Sequence, residues 1–152
     1  MPMSPEAAAE MGRIGAVAAM ALAATGSGIG TYLGGAGAVG AWKKLMLQGK
    51  PAPFTMITFV GAPLSQTIYG MILMITMTAK ADAGYNPWAL LGVGIGAGLA
   101  IGVSAYGQGK AGAHCADALA ETGQGFSNYL AVIGIVETVA IFVLVFTLLA
   151  LG

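Results

Sequence analysis

Residues 128–152 read NYLAVIGIVETVAIFVLVFTLLALG, an apolar run in which Glu137 is the one charged residue. A helix of this length crosses the roughly 30 Å hydrocarbon layer of a membrane with Glu137 near mid-depth. An acidic side chain there costs about 2.5–3.5 kcal/mol to insert, so it usually faces protein or a cavity and belongs to an ion or proton path. The stretch therefore predicts a transmembrane helix with a functional carboxylate. The alternative is a protonated carboxyl that only hydrogen-bonds neighbouring helices.

The composition of the whole chain is that of an integral membrane protein. Of its 152 residues 57% are hydrophobic and 8% are charged, and the mean hydropathy is +0.83; a soluble domain carries about 25% charged residues. The net charge is zero with six Lys and Arg, which leaves no basic surface for nucleic acid. Cys115 and His114 are the single cysteine and histidine, too few for an internal disulfide or a closed zinc site.

Charged residues divide the chain into four long neutral runs, each longer than the roughly 20 residues that cross a bilayer. We therefore predict an all-α membrane protein with four transmembrane helices. The short connections at 48–53, 80–87 and 121–125 contain Gly, Pro and polar residues and make consecutive helices antiparallel neighbours. The predicted neutral runs are Ile14 to Trp42, Pro51 to Ala79, Ala83 to Gly109, and Thr122 to Gly152 with Glu137 as the exception.

The chain also repeats itself. Residues 28–33 match residues 94–99 at an offset of 66, and the second and fourth helices match at an offset of 73, which places Leu64 on Glu137. Two copies of one helical hairpin therefore make up the sequence, and only the second carries the carboxyl group. The predicted hairpins are 11–79 and 83–152.

Glycines follow one another at intervals of four on the first and third helices. In lipid, glycine lets two helix backbones approach closely, and a simple dimer needs only one such pair. Ladders on both odd helices favour a ring in which many copies pack their narrow helices inward. The ladder glycines are Gly26, Gly30 and Gly34, and Gly94, Gly98 and Gly102.

The positive charges near the predicted spans predict an orientation. Four lysines flank the first and third connections and two basic residues flank the opposite side, so we expect those connections in the cytoplasm and both termini outside. The first apolar run is expected to be retained rather than cleaved as a signal, because Glu6 and Glu10 precede Arg13. The lysines of the first and third connections are Lys43, Lys44, Lys50 and Lys110, and the opposing residues are Arg13 and Lys80.

Polar residues in the other spans suggest partners for Glu137. In the second helix Ala62, Ser65, Gln66 and Tyr69 share one face. Pro63 lies within that face and has no amide proton, so the carbonyl oxygens of residues 59–62 are candidates to bind something other than an amide.

Gln108 of the third helix is expected at the depth of Glu137. A carboxylate with amide, hydroxyl and carbonyl oxygens suits a hard cation. The alternative is that the amides only bridge helices, at about 0.6 kcal/mol per bond.

These residues resemble the proteolipid, or rotor-ring, subunit of V-type and archaeal-type rotary ATPases, and most closely the prokaryotic sodium-translocating subunit K group. The resemblance covers nearly the whole chain. It is carried by the duplicated hairpins, the glycine-rich odd helices and residues 63–70, 107–110 and 136–138. Ser65, Ala62 and Val139 depart from the residues common in the family.

The resemblance implies a non-catalytic subunit of a prokaryotic cell-membrane complex. Identical subunits would form a ring that turns against a stator subunit supplying an arginine and is attached to central-stalk subunits, while ATP is hydrolysed or made elsewhere. One Na⁺ per protomer would be the ion, with H⁺ as the alternative. The implied sodium ligands are Glu137, Gln66, Gln108, Ser65 and the carbonyl of Ala62, with Tyr69 hydrogen-bonding the carboxylate.

Two further interpretations stay open. A small proton-coupled multidrug exporter also has four helices and one membrane carboxylate, although its chain is shorter, its glutamate lies in the first helix and it lacks the duplication. A purely structural membrane oligomer would account for the glycines and leave Glu137 without a role. The mass of the detergent-extracted assembly separates these interpretations.

Overall fold

The computed structural model describes residues 3–152 and consists of four long helices joined by short turns. All four are long and apolar enough to cross a membrane, which confirms the predicted all-helical membrane fold. Their bounds are α1 Pro5–Leu47, α2 Phe54–Asp82, α3 Pro87–Thr122 and α4 Phe126–Leu151.

The helices α1 and α3 extend well past the predicted neutral runs. With 43 and 36 residues they are about 65 and 54 Å long, far more than a hydrocarbon layer requires. The neutral runs are shorter than these helices because a charged residue marks where a helix leaves the hydrocarbon layer. The helix itself can continue beyond that residue. Both helices are therefore longer than a roughly 30 Å hydrocarbon layer can cover.

Local capping sets where the helices begin and end. The Asn86 side chain accepts hydrogen bonds from the amides of Trp88 and Ala89 at 3.0 and 3.1 Å, which starts α3. Gly123 ends α3 in the left-handed conformation at φ 67°, where its amide donates to the Leu119 carbonyl at 2.9 Å. These signals explain why the turns lie where the polar and glycine-rich segments predict.

The closest packing in the molecule is between α1 and α3, which run parallel. Gly15 contacts the backbone of Gly94, Gly26 that of Gly102, and Gly30 that of Gly109. A Cβ on any of these glycines would overlap the opposite backbone, so only glycine permits this separation. All six glycines of the predicted ladders are buried here.

A second set of glycines on the same two helices meets nothing within one chain. A Cβ added at any of them would have no heavy atom within 4 Å, and all four residues are exposed. Contacts inside the protomer therefore do not require glycine at these positions. The four residues are Gly28, Gly40, Gly92 and Gly96.

The helices α2 and α4 lie against this glycine-packed pair. In α2 the helix tightens to a 3₁₀ turn at Ala62–Leu64, where Pro63 faces Gly30 of α1. Because the main partner of α1 is α3, the two predicted hairpins share one core. Their division as repeats at 11–79 and 83–152 stays a prediction.

Two apolar clusters occupy opposite ends of the bundle. One is built around Leu73, Leu90 and Ala140, and the other around Phe59 and Cys115. Along α2 and α3 the buried polar side chains lie between the two clusters, as does the carboxylate of α4. The fold thus places a polar layer at mid-depth between two apolar layers.

Candidate ion-binding site

The polar layer brings three helices together around Glu137. Gln66 of α2 and Gln108 of α3 are both fully buried, at 0% exposure, and Glu137 of α4 is half-buried. Burying an amide is unfavourable unless its donors and acceptors are satisfied, and here each amide has partners within the layer. The equal depth predicted for Gln108 and Glu137 is found in the structure.

Two donors hold the carboxylate of Glu137. The Tyr69 hydroxyl donates to Oε1 at 2.6 Å, and Nε2 of Gln108 donates to Oε2 at 3.3 Å. Each oxygen of the carboxylate thus receives one hydrogen bond from a different helix. The two hydrogen bonds therefore orient the carboxylate between α2 and α3.

The two glutamines form a chain that ends at Glu137. Gln66 Nε2 donates to Gln108 Oε1 at 3.0 Å, and Gln108 Nε2 donates to the Ile133 carbonyl at 3.1 Å as well as to Glu137. The amide of Gln108 therefore bridges α2 and α4. An amide oxygen has two lone pairs, so it can accept a hydrogen bond and still bind an ion. This geometry is therefore compatible with amides that bridge helices and with amides that are ion ligands.

Ser65 and the 3₁₀ turn supply the remaining oxygens. The Ser65 hydroxyl donates to the Ala62 carbonyl at 3.0 Å and lies 3.2 Å from Oε1 of Gln66. The turn at Pro63 lets the Ala62 carbonyl meet a side chain in addition to the backbone. Among the carbonyl oxygens of residues 59–62, that of Ala62 lies next to the predicted ion ligands Ser65 and Gln66.

The carbonyl of Phe59, the one that Pro63 leaves without its helical donor, lies elsewhere. A Cβ on Gly34 or on Gly112 would come within 2.7 Å of this oxygen, so the carbonyl fits between the backbones of α1 and α3. Such close approach allows weak contacts from the glycine Cα hydrogens. The Phe59 oxygen thus lies away from the predicted ligands, whereas the Ala62 oxygen lies beside them. That these oxygens bind an ion stays a prediction.

Sequence reasoning missed Ser104, which is 7% exposed and donates to the Val136 carbonyl at 3.0 Å. Its signal was present, because Ser104 lies one helical turn before Gln108 and so shares its face of α3. The hydroxyl of a serine in an apolar helix usually donates to a backbone carbonyl of its own helix, so the sequence gave no reason to choose Ser104 as a site residue.

The ion pairs of residues 3–152 lie at the two ends of the bundle. Arg13 pairs with Asp82 at 2.8 Å and with Glu10 at 2.6 Å, and at the other end Lys44 pairs with Glu121 at 2.6 Å. Lys110, two residues after the buried Gln108, is exposed. Within the described residues, hydroxyl and amide groups are thus the observed partners of Glu137.

Comparison with known proteins gives two matches. Residues 91–150 match the ATP synthase C-subunit family. The chain is also similar to the A-type ATP synthase subunit K of Methanocaldococcus jannaschii, with 34% identity over 142 residues, which are 93% of this chain and 61% of that relative. The chain thus spans less than two thirds of the relative's length. Gln108 and Glu137 both lie within the residues that match, so the part of the chain that carries the site is similar to the ATP synthase C-subunit family.

Proposed function

We propose that the chain is a rotor-ring subunit of a rotary ATPase that binds Na⁺ at Glu137 and carries it across the membrane, one ion per protomer. The observation that carries this proposal is the polar layer, in which a carboxylate at mid-depth meets donors from two other helices. The subunit itself performs no ATP chemistry, which belongs to other subunits of the complex.

The choice of Na⁺ as the ion is supported by the oxygens gathered beside Glu137. Ser65 Oγ lies 3.0 Å from the Ala62 oxygen and 3.2 Å from Gln66 Oε1. These are separations expected between neighbouring oxygens around a hard cation held at about 2.3–2.6 Å. One carboxylate among neutral oxygens balances a single positive charge, whereas a proton needs the carboxyl and one partner.

Each residue has a distinct part in binding and release. Glu137 supplies the charge; Gln66, Gln108, Ser65 and the Ala62 carbonyl replace hydration; and Tyr69 donates a hydrogen bond that orients the carboxylate. When the ion leaves, the carboxylate needs a counter-charge at mid-depth. The ion pairs within the described chain lie at the ends of the bundle, so an arginine of a stator subunit is the proposed counter-charge.

Ring formation is supported by surfaces that a single protomer leaves open. The four open glycines on α1 and α3 would allow neighbouring copies to approach closely. The outer face of α4 exposes Ile135, Val139, Phe142, Phe146 and Leu149 between 54% and 71%, a surface that lipid or the next copy would cover. Central-stalk subunits would bind the projecting ends of α1 and α3.

The proposed location is the cell membrane of a prokaryote, with several crossings. The connections at 48–53 and 121–125, which Lys43, Lys44, Lys50 and Lys110 flank, would face the cytoplasm, and both termini would be outside. Cysteine residues introduced singly at positions 49 and 84, and tested with a membrane-impermeant thiol reagent on Cys115→Ser protein, would establish the orientation.

The test of the proposed function is labelling of the isolated ring with a carbodiimide, which reacts with the protonated carboxyl. Because bound Na⁺ stabilises the ionised form, NaCl should protect Glu137 and KCl should not, and protection should weaken as the pH falls. Glu137→Gln identifies the labelled residue. Labelling that ignores sodium at every pH would favour H⁺ as the ion, and Gln66 and Gln108 would then serve to bridge helices.

A further inference from the structure

Two side chains of α3 hold the backbone of α4 next to Glu137. Ser104 and Gln108 lie one turn apart on the same face of α3 and donate to the carbonyls of Val136 and Ile133, at 3.0 and 3.1 Å. The two acceptors lie within a single turn of α4. The bonds form a clamp between the helices, defined here as Ser104 and Gln108 with their two carbonyl acceptors.

The clamp matters because few side chains of α4 are buried against its neighbours. Its buried residues are Ile133, Ala140, Leu144 and Leu151, and most of the helix surface is exposed. In a membrane the lipid is as apolar as a leucine side chain, so burying apolar residues of α4 gives little drive toward one rotation or axial position. The directed bonds to two backbone oxygens of α4 therefore contribute to both, together with the hydrogen bond from Tyr69 to Glu137.

We propose that Ser104 is a positioning residue, which sets the ion affinity of Glu137 by holding the turn of α4 that carries it. The inference rests on the proposed function. Val136 directly precedes Glu137, so a shift of its carbonyl moves the carboxylate relative to Tyr69 and Gln108. Binding constellations tolerate about 0.5 Å of misplacement, which an unrestrained helix exceeds. Ser104 itself donates to the backbone of α4 and is not among the proposed ion ligands.

Ser27 of α1 provides a matched control. It is 1% exposed, and its hydroxyl has no hydrogen-bond partner within residues 3–152. It lies between Ala23, which contacts Gly70, and Gly30, which contacts Pro63, and hence near the depth of Gln66. Replacing Ser27 by alanine removes the same buried group from the same layer without breaking a bond.

The experiment compares isolated rings of the wild type, Ser104→Ala, Ser104→Thr and Ser27→Ala. Native mass measurement first establishes that each ring is intact. The rate of carbodiimide labelling of Glu137 is then measured against NaCl concentration at fixed pH. Losing one interhelical bond in a membrane corresponds to about a threefold loss of affinity.

We expect Ser104→Ala to need at least about threefold more Na⁺ for half-protection, and Ser104→Thr, which keeps the hydroxyl, to lie closer to the wild type. Ser27→Ala should match the wild type. An unchanged Ser104→Ala, or an equal shift in Ser27→Ala, overturns the inference. If Na⁺ does not protect even the wild type, the sodium proposal fails instead. Ser104 is then judged by the labelling rate in sodium-free buffer, which should differ from the wild type in Ser104→Ala, because the carboxylate is displaced, and stay constant in Ser27→Ala.

Discussion

The hydroxyl of Tyr69 donates a 2.6 Å hydrogen bond to Oε1 of Glu137 and so joins α2 to α4 at the centre of the bundle. The two residues are 68 positions apart in the chain. The bond occupies one carboxylate oxygen, while Gln108 faces the other. The two hydrogen bonds therefore orient the carboxylate, and an oriented ligand reduces the ordering cost of binding.

Removing the Tyr69 hydroxyl should weaken ion binding without disrupting the fold. In Tyr69→Phe the carboxylate keeps the Gln108 contact and loses its shorter hydrogen bond, so we expect about a threefold to tenfold loss of Na⁺ affinity. Sodium protection against carbodiimide labelling measures this loss. Tyr106→Phe is the control, because Tyr106 is 45% exposed and its hydroxyl is not among the groups that contact Glu137. An equal Na⁺ affinity in the wild type and Tyr69→Phe would contradict the role that we assign to this hydrogen bond in ion binding.

Glu137→Gln should leave the protein inserted and assembled but stop ion transport. Glutamine keeps the volume of glutamate and can still accept from Tyr69, while it lacks the charge that binds and releases the ion. ATP-driven sodium uptake into vesicles that contain the whole complex is the measurement, with native mass analysis of the ring as the assembly control. Normal uptake by the variant would refute the central role of Glu137.

The buried amides should be coupled to each other. Gln66 donates to Gln108 at 3.0 Å, so Gln66→Leu and Gln108→Leu should each lower sodium affinity and the double variant should lose less than the sum. A coupling of about 0.6 kcal/mol is expected for such a bond. A double-mutant cycle on sodium half-protection measures it. Strict additivity would mean that the two side chains act independently.

Glycines in contact and glycines in open space should respond differently to alanine. A Cβ at Gly26 would overlap Gly102, whereas a Cβ at Gly28 meets nothing within 4 Å in the same chain. We expect Gly26→Ala to destabilise the protomer by about 1–3 kcal/mol through overpacking, and Gly28→Ala to leave it intact. Thermal unfolding of the protomer in detergent compares the two.

If neighbouring copies pack against Gly28, Gly28→Ala should weaken the ring rather than the protomer, and native mass measurement would show smaller assemblies. A Gly26→Ala protomer as stable as the wild type would contradict the close α1–α3 packing.

Lys110 should not act as the internal counter-charge for Glu137. It is exposed while its neighbour Gln108 is buried, because two residues along a helix are about 200° apart. Lys110→Ala should therefore retain sodium transport by the whole complex. Loss of transport with an intact ring would require an internal partner for the carboxylate, and the proposed arginine of a stator subunit would lose its support.

The sequence by itself determined the membrane class, the four helices and Glu137 as the one charge of the last helix. These follow from properties that a linear chain carries, namely long neutral runs, a single charge in the last run and glycines at intervals of four. Helical periodicity also places Ser65, Gln66 and Tyr69 on one face.

Tertiary structure decided which of these groups meet. Three features depend on how each helix is rotated and shifted against its neighbours. They are the hydrogen bond from Ser104 to Val136, the different surroundings of the Ala62 and Phe59 carbonyls, and the division of the glycines into buried and exposed ones. That rotation and shift are set by close contact between backbones far apart in the chain, at glycine pairs such as Gly30 with Gly109. Periodicity within one helix specifies a face but not the partner that the face meets, and for this physical reason the clamp on Glu137 emerged only from the folded chain.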